Sequence, residues 1–266
     1  MNMQKLFSLF FLTLITSAVS SQITYKPKDS ISFANKKYQK FQGIDVYENL
    51  FFTKQETLIK TDGNTTWEYA NLELGIPESI SLLNPLQVLV FYKNTNTFVL
   101  LDRFLSEIKR INLNNITPAR VAQWIQNTKS QEVWLFNSLN NELEFFNYQT
   151  NTKRTDNIPV NGTPIDLTSG FNSAYLLFKN KIKGYDNYGT SFSDVPVLGA
   201  VKISLNNKIL MATYKEELEF FNIHLNSLGS TKKPKNTTQD VFLSNEKLYI
   251  YTDYTLYVYQ LIIPSK

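Results

Sequence analysis

A segment of about 40 residues recurs six times along this chain. Each copy has an apolar first strand, a turn rich in Asn, Ser or Lys, and two further strands of aliphatic and aromatic residues. The polar residue that closes the third strand occurs six times, at Asp62, Asp102, Asn147, Asp186, Asn222 and Gln260. A period of this length is typical of one four-stranded blade of a β-propeller. The sequence therefore predicts an all-β fold, a six-bladed β-propeller.

The ends of the repeat array predict how the ring closes. Each repeat supplies three strands and the linker after it supplies the fourth, but the sixth repeat has no such linker. A spare segment with alternating apolar and polar residues, residues 30–38, precedes the first repeat. We expect it to pair with residues 256–262, because closure removes free sheet edges. Residues 119–126 have a helix-like pattern, but their place in the repeat predicts a strand.

The first residues have the pattern of an export signal. A short basic start precedes an apolar run at residues 6–15, which is too short to span a bilayer as a helix, and small residues follow. Residues 1–21 are therefore predicted to be a cleavable signal peptide, with an uncleaved anchor helix as the alternative. We expect a flexible arm at residues 22–29, a single propeller domain at residues 30–266, and a periplasmic location.

Composition limits the classes of function. The chain has no cysteine, so neither disulfides nor a cysteine-linked lipid anchor are available, and a large core has to stabilise the fold. A net charge of +4 is too weak to indicate a nucleic-acid partner. No transmembrane segment is expected after signal cleavage.

Residues suited to catalysis are scarce. The only histidine, His224, follows the third strand of the fifth repeat, and it would have to serve every nucleophile–base mechanism. A Cys/His metal site is impossible with this composition. The sequence also lacks a phosphate-binding loop and a Gly-rich dinucleotide motif. These observations favour a protein that is not an enzyme.

One set of polar residues is expected around the central channel, because the first strand of each propeller blade lines it. The positions before the first strands predict channel-lining and ligand-binding residues at Asp45, Glu78, Ser79, Arg120, Asp166 and Asp240, with Ala200 at the fifth blade. Oxygen ligands from Asp45, Asp166 and Asp240 would suit a hard cation such as Ca²⁺. The alternative is a wet, polar mouth in which Arg120 neutralises its neighbours.

Aromatic residues in the linkers are a second candidate site. Trp67, Tyr69, Tyr188 and Phe192 lie between repeats or at their turns. Exposed aromatic side chains anchor protein interfaces, whereas buried ones would cap blade ends. The sequence leaves both interpretations open.

The repeat pattern, P-x-[D/S/R]-[I/V/L] followed by L-[Y/F/L]-[I/V/F] and x-L-x-[F/V]-[Y/F]-[N/D], resembles the blades of NHL-like and lactonase-like propellers over residues 30–262. For the lactonase-like enzymes, the resemblance implies a channel metal held by a Glu, two Asn and an Asp. The equivalent positions here are Asp, Ser, Arg, Asp, Ala and Asp, which departs from that set.

A narrower resemblance covers the first blade. Residues 30–62 are similar to the Plug component of the type 9 secretion translocon, which implies a place at the periplasmic mouth of a large outer-membrane pore. We therefore expect a non-enzymatic periplasmic propeller that binds a protein partner, with a large outer-membrane β-barrel translocon as the implied partner. No cofactor is expected unless the channel carboxylates bind Ca²⁺. The alternatives are a metal-dependent lactonase-like hydrolase and a carbohydrate- or envelope-binding module.

Overall fold

The computed structural model describes residues 23–33, 40–128, 131–154, 158–206, 208–234, 240–252 and 254–263. The predicted signal peptide, residues 1–21, lies outside these described residues. The described part consists of β-strands, turns and one 3₁₀ helix at Leu113–Asn115. None of its helices has the length and apolar character needed to cross a membrane.

The strands fall into six consecutive groups. The first half of the chain contains β1 (Thr24–Ser32), β2 (Lys40–Ile44), β3 (Leu50–Lys54), β4 (Thr57–Thr61), β5 (Thr66–Ala70), β6 (Ser79–Ser81), β7 (Val88–Tyr92), β8 (Thr97–Leu101), β9 (Glu107–Asn112), β10 (Ala122–Asn127), β11 (Glu132–Asn137), β12 (Glu142–Asn147), β13 (Thr152–Lys153) and β14 (Ile158–Pro159). The second half contains β15 (Asp166–Ser169), β16 (Ser173–Leu177), β17 (Lys181–Asp186), β18 (Ser191–Pro196), β19 (Lys202–Leu205), β20 (Ile209–Thr213), β21 (Glu217–Asn222), β22 (Ser227–Lys232), β23 (Val241–Ser244), β24 (Lys247–Thr252) and β25 (Thr255–Ile262).

These strands form the predicted six-bladed propeller. Five blades are antiparallel sheets of consecutive strands, β2–β5, β6–β9, β10–β14, β15–β18 and β19–β22, and the sixth combines β23, β24 and β25 with β1. The first strands of neighbouring blades contact one another around a common axis, in the order β6, β10, β15, β19, β23 and β2. The segment with the helix-like pattern is strand β10, as its place in the repeat predicts.

The ring is closed by the N-terminal strand, as predicted, but by an earlier segment. Strand β1 pairs antiparallel with β25, with Ser30 opposite Tyr257. The closing strand begins at Thr24, so the prediction of a flexible arm at residues 22–29 is wrong from Thr24 onward. The polar stretch that suggested an arm is the exposed outer edge of blade 6. Its proline, Pro27, lies at a register shift, where an edge strand tolerates the missing N–H.

The core consists of layers between adjacent blades. Every residue of β7 and β8 is buried, because the middle strands of a blade pack against a neighbour on each side. Phe52 and Tyr249 belong to the layer that joins blades 1 and 6. The ring closure is therefore stabilised by aromatic packing as well as by the pairing of β1 with β25.

The polar residue that marks the repeat has a local structural role. Asp102 Oδ1 accepts hydrogen bonds from the backbone N–H groups of Phe104 and Ser106, at 2.8 and 2.9 Å. Four other markers accept equivalent bonds from residues that follow them: Asp62, Asn147, Asp186 and Asn222. This is the Asx turn, which Asp and Asn form readily. Gln260 differs, because it lies inside β25 opposite Lys247.

Antiparallel strand order gives the ring two faces with different turns. The turns between first and second strands and between third and fourth strands lie on one face, which we call the cavity face. The turns between second and third strands, and the links to the next blade, lie on the opposite face, which we call the link face. The first strands run from the link face to the cavity face, so their first residues lie at the link-face mouth.

Candidate functional site

The central channel contains a cavity of about 770 Å³. The first strands of all six blades contribute to its wall, with Gln42, Ser81, Gln126, Thr168, Ser204 and Phe242 as one residue from each. Residues of the turns after those strands, Val46, Asn206 and Asn245, also line it. The cavity therefore opens on the cavity face.

The residues predicted to line the channel do not line this cavity. Asp166 and Asp240 lie at the beginnings of the first strands or just before them, near the link-face mouth. The cavity wall is formed by residues two positions later, such as Thr168 and Phe242, because alternate residues of a strand share one face. Ala200 is buried before β19 and likewise does not line the cavity.

Asp45 follows β2 and stabilises its own turn. Its carboxylate accepts hydrogen bonds from the backbone N–H groups of Tyr47 and Asn49, each at 2.9 Å. Asn49 Nδ2 donates a third bond to Asp45 Oδ2 at 2.8 Å. Asp45 thus belongs to a turn on the cavity face. The structure does not group it with Asp166 and Asp240.

Arg120 is buried and forms an ion pair within blade 3. Its Nε donates to Glu144 Oε2 at 2.7 Å, and its Nη1 donates to the carbonyl of Pro118 at 2.9 Å. Asn137 Nδ2 donates to the other oxygen of Glu144 at 2.9 Å. Arg120 therefore neutralises a carboxylate of its own blade and not one of the channel. The sequence does not reveal the role of Glu144, because a charged residue that alternates with apolar residues along β12 is expected to face solvent.

A belt of charged groups joins blades 4, 5 and 6 at the link-face mouth. Asp166 Oδ2 accepts a hydrogen bond from the backbone N–H of Ile203 at 2.8 Å, and Lys202 Nζ lies 3.1 Å from Asp240 Oδ2. Burial raises the pKa of Asp166 to about 6, although two backbone N–H donors and Lys202 lower it. The described residues contain no group of three or more His, Asp or Glu side chains arranged to hold a metal ion.

The other predicted polar positions are more exposed. Glu78 is exposed, its backbone N–H donates to Phe91 O at 2.9 Å, and Ser79 is the first residue of β6. His224 is exposed in the turn after β21.

Three of the four linker aromatics make contacts at blade ends, although one of these, Phe192, is 38% exposed, and the fourth, Tyr188, is almost fully exposed. Trp67 packs near Phe104, Tyr69 donates its hydroxyl to Glu107 at 2.7 Å, and Phe192 packs edge-on against Tyr175. Tyr188 is 81% exposed on the cavity face. The contacts of Trp67, Tyr69 and Phe192 fit the capping interpretation, whereas the interface interpretation of the exposed Tyr188 stays a prediction.

The link face carries exposed aliphatic residues that sequence reasoning did not select. Val121, Ile165 and Val201 directly precede the first strands of blades 3, 4 and 5, and all three are exposed. Leu139, in the turn after β11, and Leu198, before β19, are also exposed on this face. We call these five residues the link-face patch. In the sequence they resemble core positions, and only the strand boundaries show that they lie outside the core.

Comparison with known proteins supports the fold. No protein-family model matches the sequence, and no curated protein sequence matches it. The Neurospora crassa Pan2 WD40 domain matches with a TM-score of 0.56 and 12% identity, over 86% of this chain and 76% of that chain. A streptogramin B lyase structure matches with a TM-score of 0.58 and 11% identity, over 90% of this chain and 98% of that chain. A chain of the mitotic checkpoint complex matches with a TM-score of 0.56 and 10% identity, over 98% and 99% of the two chains.

At these identities the likeness shows the propeller fold alone. The similar structures include a WD40 domain, a chain of a protein complex and a lyase, so the fold does not distinguish a binding module from an enzyme. The choice between a binding module and an enzyme therefore depends on the site residues of this chain.

Proposed function

We propose that this propeller is a non-enzymatic periplasmic protein that binds a protein partner through its link-face patch. More specifically, we propose that the partner is the outer-membrane β-barrel translocon of the type 9 secretion system and that the propeller plugs its periplasmic side. The signal-peptide pattern of residues 1–21 and the similarity of residues 30–62 to the Plug component support this proposal.

The observation that carries the binding role is the link-face patch. Val121, Ile165 and Val201 occupy corresponding places on the link face, directly before the first strands of three successive blades, and those strands contact one another. Leu198, which is 80% exposed between β18 and β19, adds a further apolar side chain to the link face. Exposed apolar surface of this kind is typical of interaction sites, because burying it against a partner removes it from water.

The charge belt next to the patch adds polar groups to the same surface. Lys202 directly follows Val201, and Asp240 directly precedes β23. Their side chains form an ion pair that is partly exposed. An apolar centre with flanking charged groups is the usual composition of a protein interface. This arrangement gives a partner both contact area and a means of fixing orientation.

Co-purification tests this proposal. The chain is tagged at its C-terminus in its own cell, native membranes are extracted gently, and the proteins that elute with it are identified. We expect a large outer-membrane β-barrel in near-equal amount. Elution of the propeller as a monomer without any partner would contradict the binding role. Metal content and hydrolase activity would then be the next measurements, because the lactonase-like alternative requires both.

A further inference from the structure

The wall of the channel cavity is almost free of charge. Five of the six blades place an uncharged polar residue on it, Gln42, Ser81, Gln126, Thr168 and Ser204, and blade 6 places Phe242 there. Among the described wall residues, the only charged ones are Lys208 and Glu246. Both are exposed residues of the turns after β19 and β23, at the opening of the cavity.

The wall has hydrogen-bonding capacity that the described protein groups do not use. The Oγ atom of Ser204 has no hydrogen-bond partner among the described residues, but it is shielded from solvent, so a ligand reaches it only after the side chain rotates to another rotamer. Gln126 Nε2 donates to the carbonyl of Leu167 at 3.4 Å, well beyond the usual length of about 2.9–3.0 Å. A buried polar group without a partner is unfavourable, so a ligand that bonds to it gains affinity.

Apolar groups lie beside these polar ones. The ring of Phe242 faces the cavity, and Lys202 Nζ lies 4.7 Å from the centre of that ring. Ile80 and Leu82 line the wall from blade 2. The cavity therefore offers hydroxyl and amide groups together with aliphatic and aromatic surface.

We propose that this cavity binds an uncharged, hydroxyl-rich small molecule of the mono- or disaccharide class. A charged ligand would lose its hydration without gaining a buried counter-charge from the described wall. Sugar hydroxyls both donate and accept hydrogen bonds, as the Ser, Thr and Gln side chains of the wall do. The C–H face of a sugar ring suits contact with Phe242. The volume lies within the range of about 300–1,000 Å³ that is usual for small-molecule sites.

This inference is independent of the proposed partner. The cavity opens on the cavity face, whereas the link-face patch lies on the opposite side of the ring. Loss of the partner by a link-face variant and loss of ligand by a cavity variant are therefore separate results.

Ligand-observed NMR on the purified chain tests the inference. The neutral probes are glucose, N-acetylglucosamine and maltose, and their charged counterparts are glucuronate and glucose 6-phosphate. Each is added at concentrations up to about 10 mM, so that weak binding is also detected. We expect a neutral sugar to bind, and we expect the dissociation constants of the charged sugars to be at least about tenfold higher.

Variants tie binding to the cavity. We expect Gln126→Leu and Ser204→Val each to weaken neutral-sugar binding about tenfold, which corresponds to losing roughly one hydrogen bond. Ser191→Val, on the exposed strand β18, is the matched control and should bind as the parent does. Circular dichroism tests whether each variant is folded. If one of the two cavity variants does not fold, Phe242→Leu replaces it. Failure of every neutral sugar to bind, equal binding of charged sugars, or unchanged binding by all the cavity variants would overturn the inference. Binding of the peptide triglycine in place of the sugars would overturn it too.

Discussion

Arg120 and Glu144 form an ion pair of 2.7 Å in which each side chain is only 1% exposed. The pair connects the segment before β10 to β12, and the guanidinium carbon lies 4.5 Å from the centre of the Phe146 ring. Asn137 donates to the same carboxylate. This polar contact inside blade 3 fixes the position of the segment that carries Val121, a member of the link-face patch.

Removing one partner of this pair should destabilise the fold strongly. We expect Arg120→Met to lower the free energy of unfolding by about 3 kcal/mol, because among the described residues the buried Glu144 keeps only the more distant Lys153 Nζ, at 3.8 Å, as a cationic neighbour. The double variant Arg120→Met with Glu144→Leu should recover most of this loss. Urea denaturation measures both. The control is Lys181→Met at the exposed 3.5 Å pair with Asp194, which should change stability by less than about 0.5 kcal/mol. An equal effect of Arg120→Met and Lys181→Met would contradict the interpretation.

The repeated Asx turn predicts a clear difference between two substitutions. Asp102→Ala removes the acceptor of two backbone N–H groups and should cost about 1 kcal/mol, whereas Asp102→Asn should be nearly neutral. Asn147 and Asn222 already fill the equivalent position in blades 3 and 5. Thermal unfolding of the two variants makes the comparison. Equal destabilisation by Ala and Asn would show that the carboxylate charge, and not the acceptor, matters.

Asp166 should make the stability depend on pH. Its pKa is about 6 in the folded chain against 3.8 for an unperturbed Asp, so the folded state binds the proton more tightly. The resulting stabilisation is fully present below pH 3.8 and is lost as the pH rises through 6. It amounts to at most roughly 3 kcal/mol, reduced by the partial exposure of the side chain.

The variant Asp166→Asn isolates this effect. We expect its stability relative to the parent to increase between about pH 4 and about pH 8, because the amide does not ionise. Urea midpoints at several pH values give the difference. Asp194→Asn, at an exposed position of β18, is the control and should show no such trend. A pH-independent difference between Asp166→Asn and the parent would contradict the assigned pKa.

Strand β1 should be necessary for closing the ring. Deletion of residues 24–32 leaves the edge of β25 unpaired, and we expect the chain to aggregate, since a free edge is a template for intermolecular pairing. Size-exclusion chromatography measures the result. A monomer that melts like the parent would refute the closure.

The register of this closure can be tested by crosslinking, because the chain has no cysteine of its own. Ser30→Cys with Tyr257→Cys places the two thiols at paired positions, and we expect rapid disulfide formation. The control pair, Ser30→Cys with Thr255→Cys, is two residues out of register, because Thr255 pairs with Ser32. Preferential crosslinking of the control pair would place β1 in a different register.

The sequence predicts the fold well because the repeat signal has a local cause. The Asx turns at Asp62, Asp102, Asn147, Asp186 and Asn222 keep one polar residue at one place in each blade, so the period is visible without tertiary information. The start of β1 was harder to predict. An exposed edge strand that contains Pro27 and several charged residues has no apolar alternation to reveal it.

The site was predicted less well, because residues two positions apart share a face of the strand but lie at different depths along the channel. The sequence selects Asp166 and Asp240, which lie near the link-face mouth, whereas the cavity wall is formed by Thr168 and Phe242. The pairing of Arg120 with Glu144 depends on folding within blade 3, and no spacing in the sequence shows it. The aliphatic residues of the link-face patch are of the same types as core residues, so only their place outside the strands and their exposure in the fold distinguish them.

The most direct test of the proposed function compares two substitutions on opposite faces. Leu198 is 80% exposed on the link face and Tyr188 is 81% exposed on the cavity face, so Leu198→Glu and Tyr188→Glu perturb equally accessible positions. Each tagged variant is purified from native membranes, and the amount of partner per propeller is measured. We predict that Leu198→Glu loses the partner and that Tyr188→Glu retains it. Retention of the partner by Leu198→Glu together with its loss in Tyr188→Glu would assign binding to the cavity face and contradict this account.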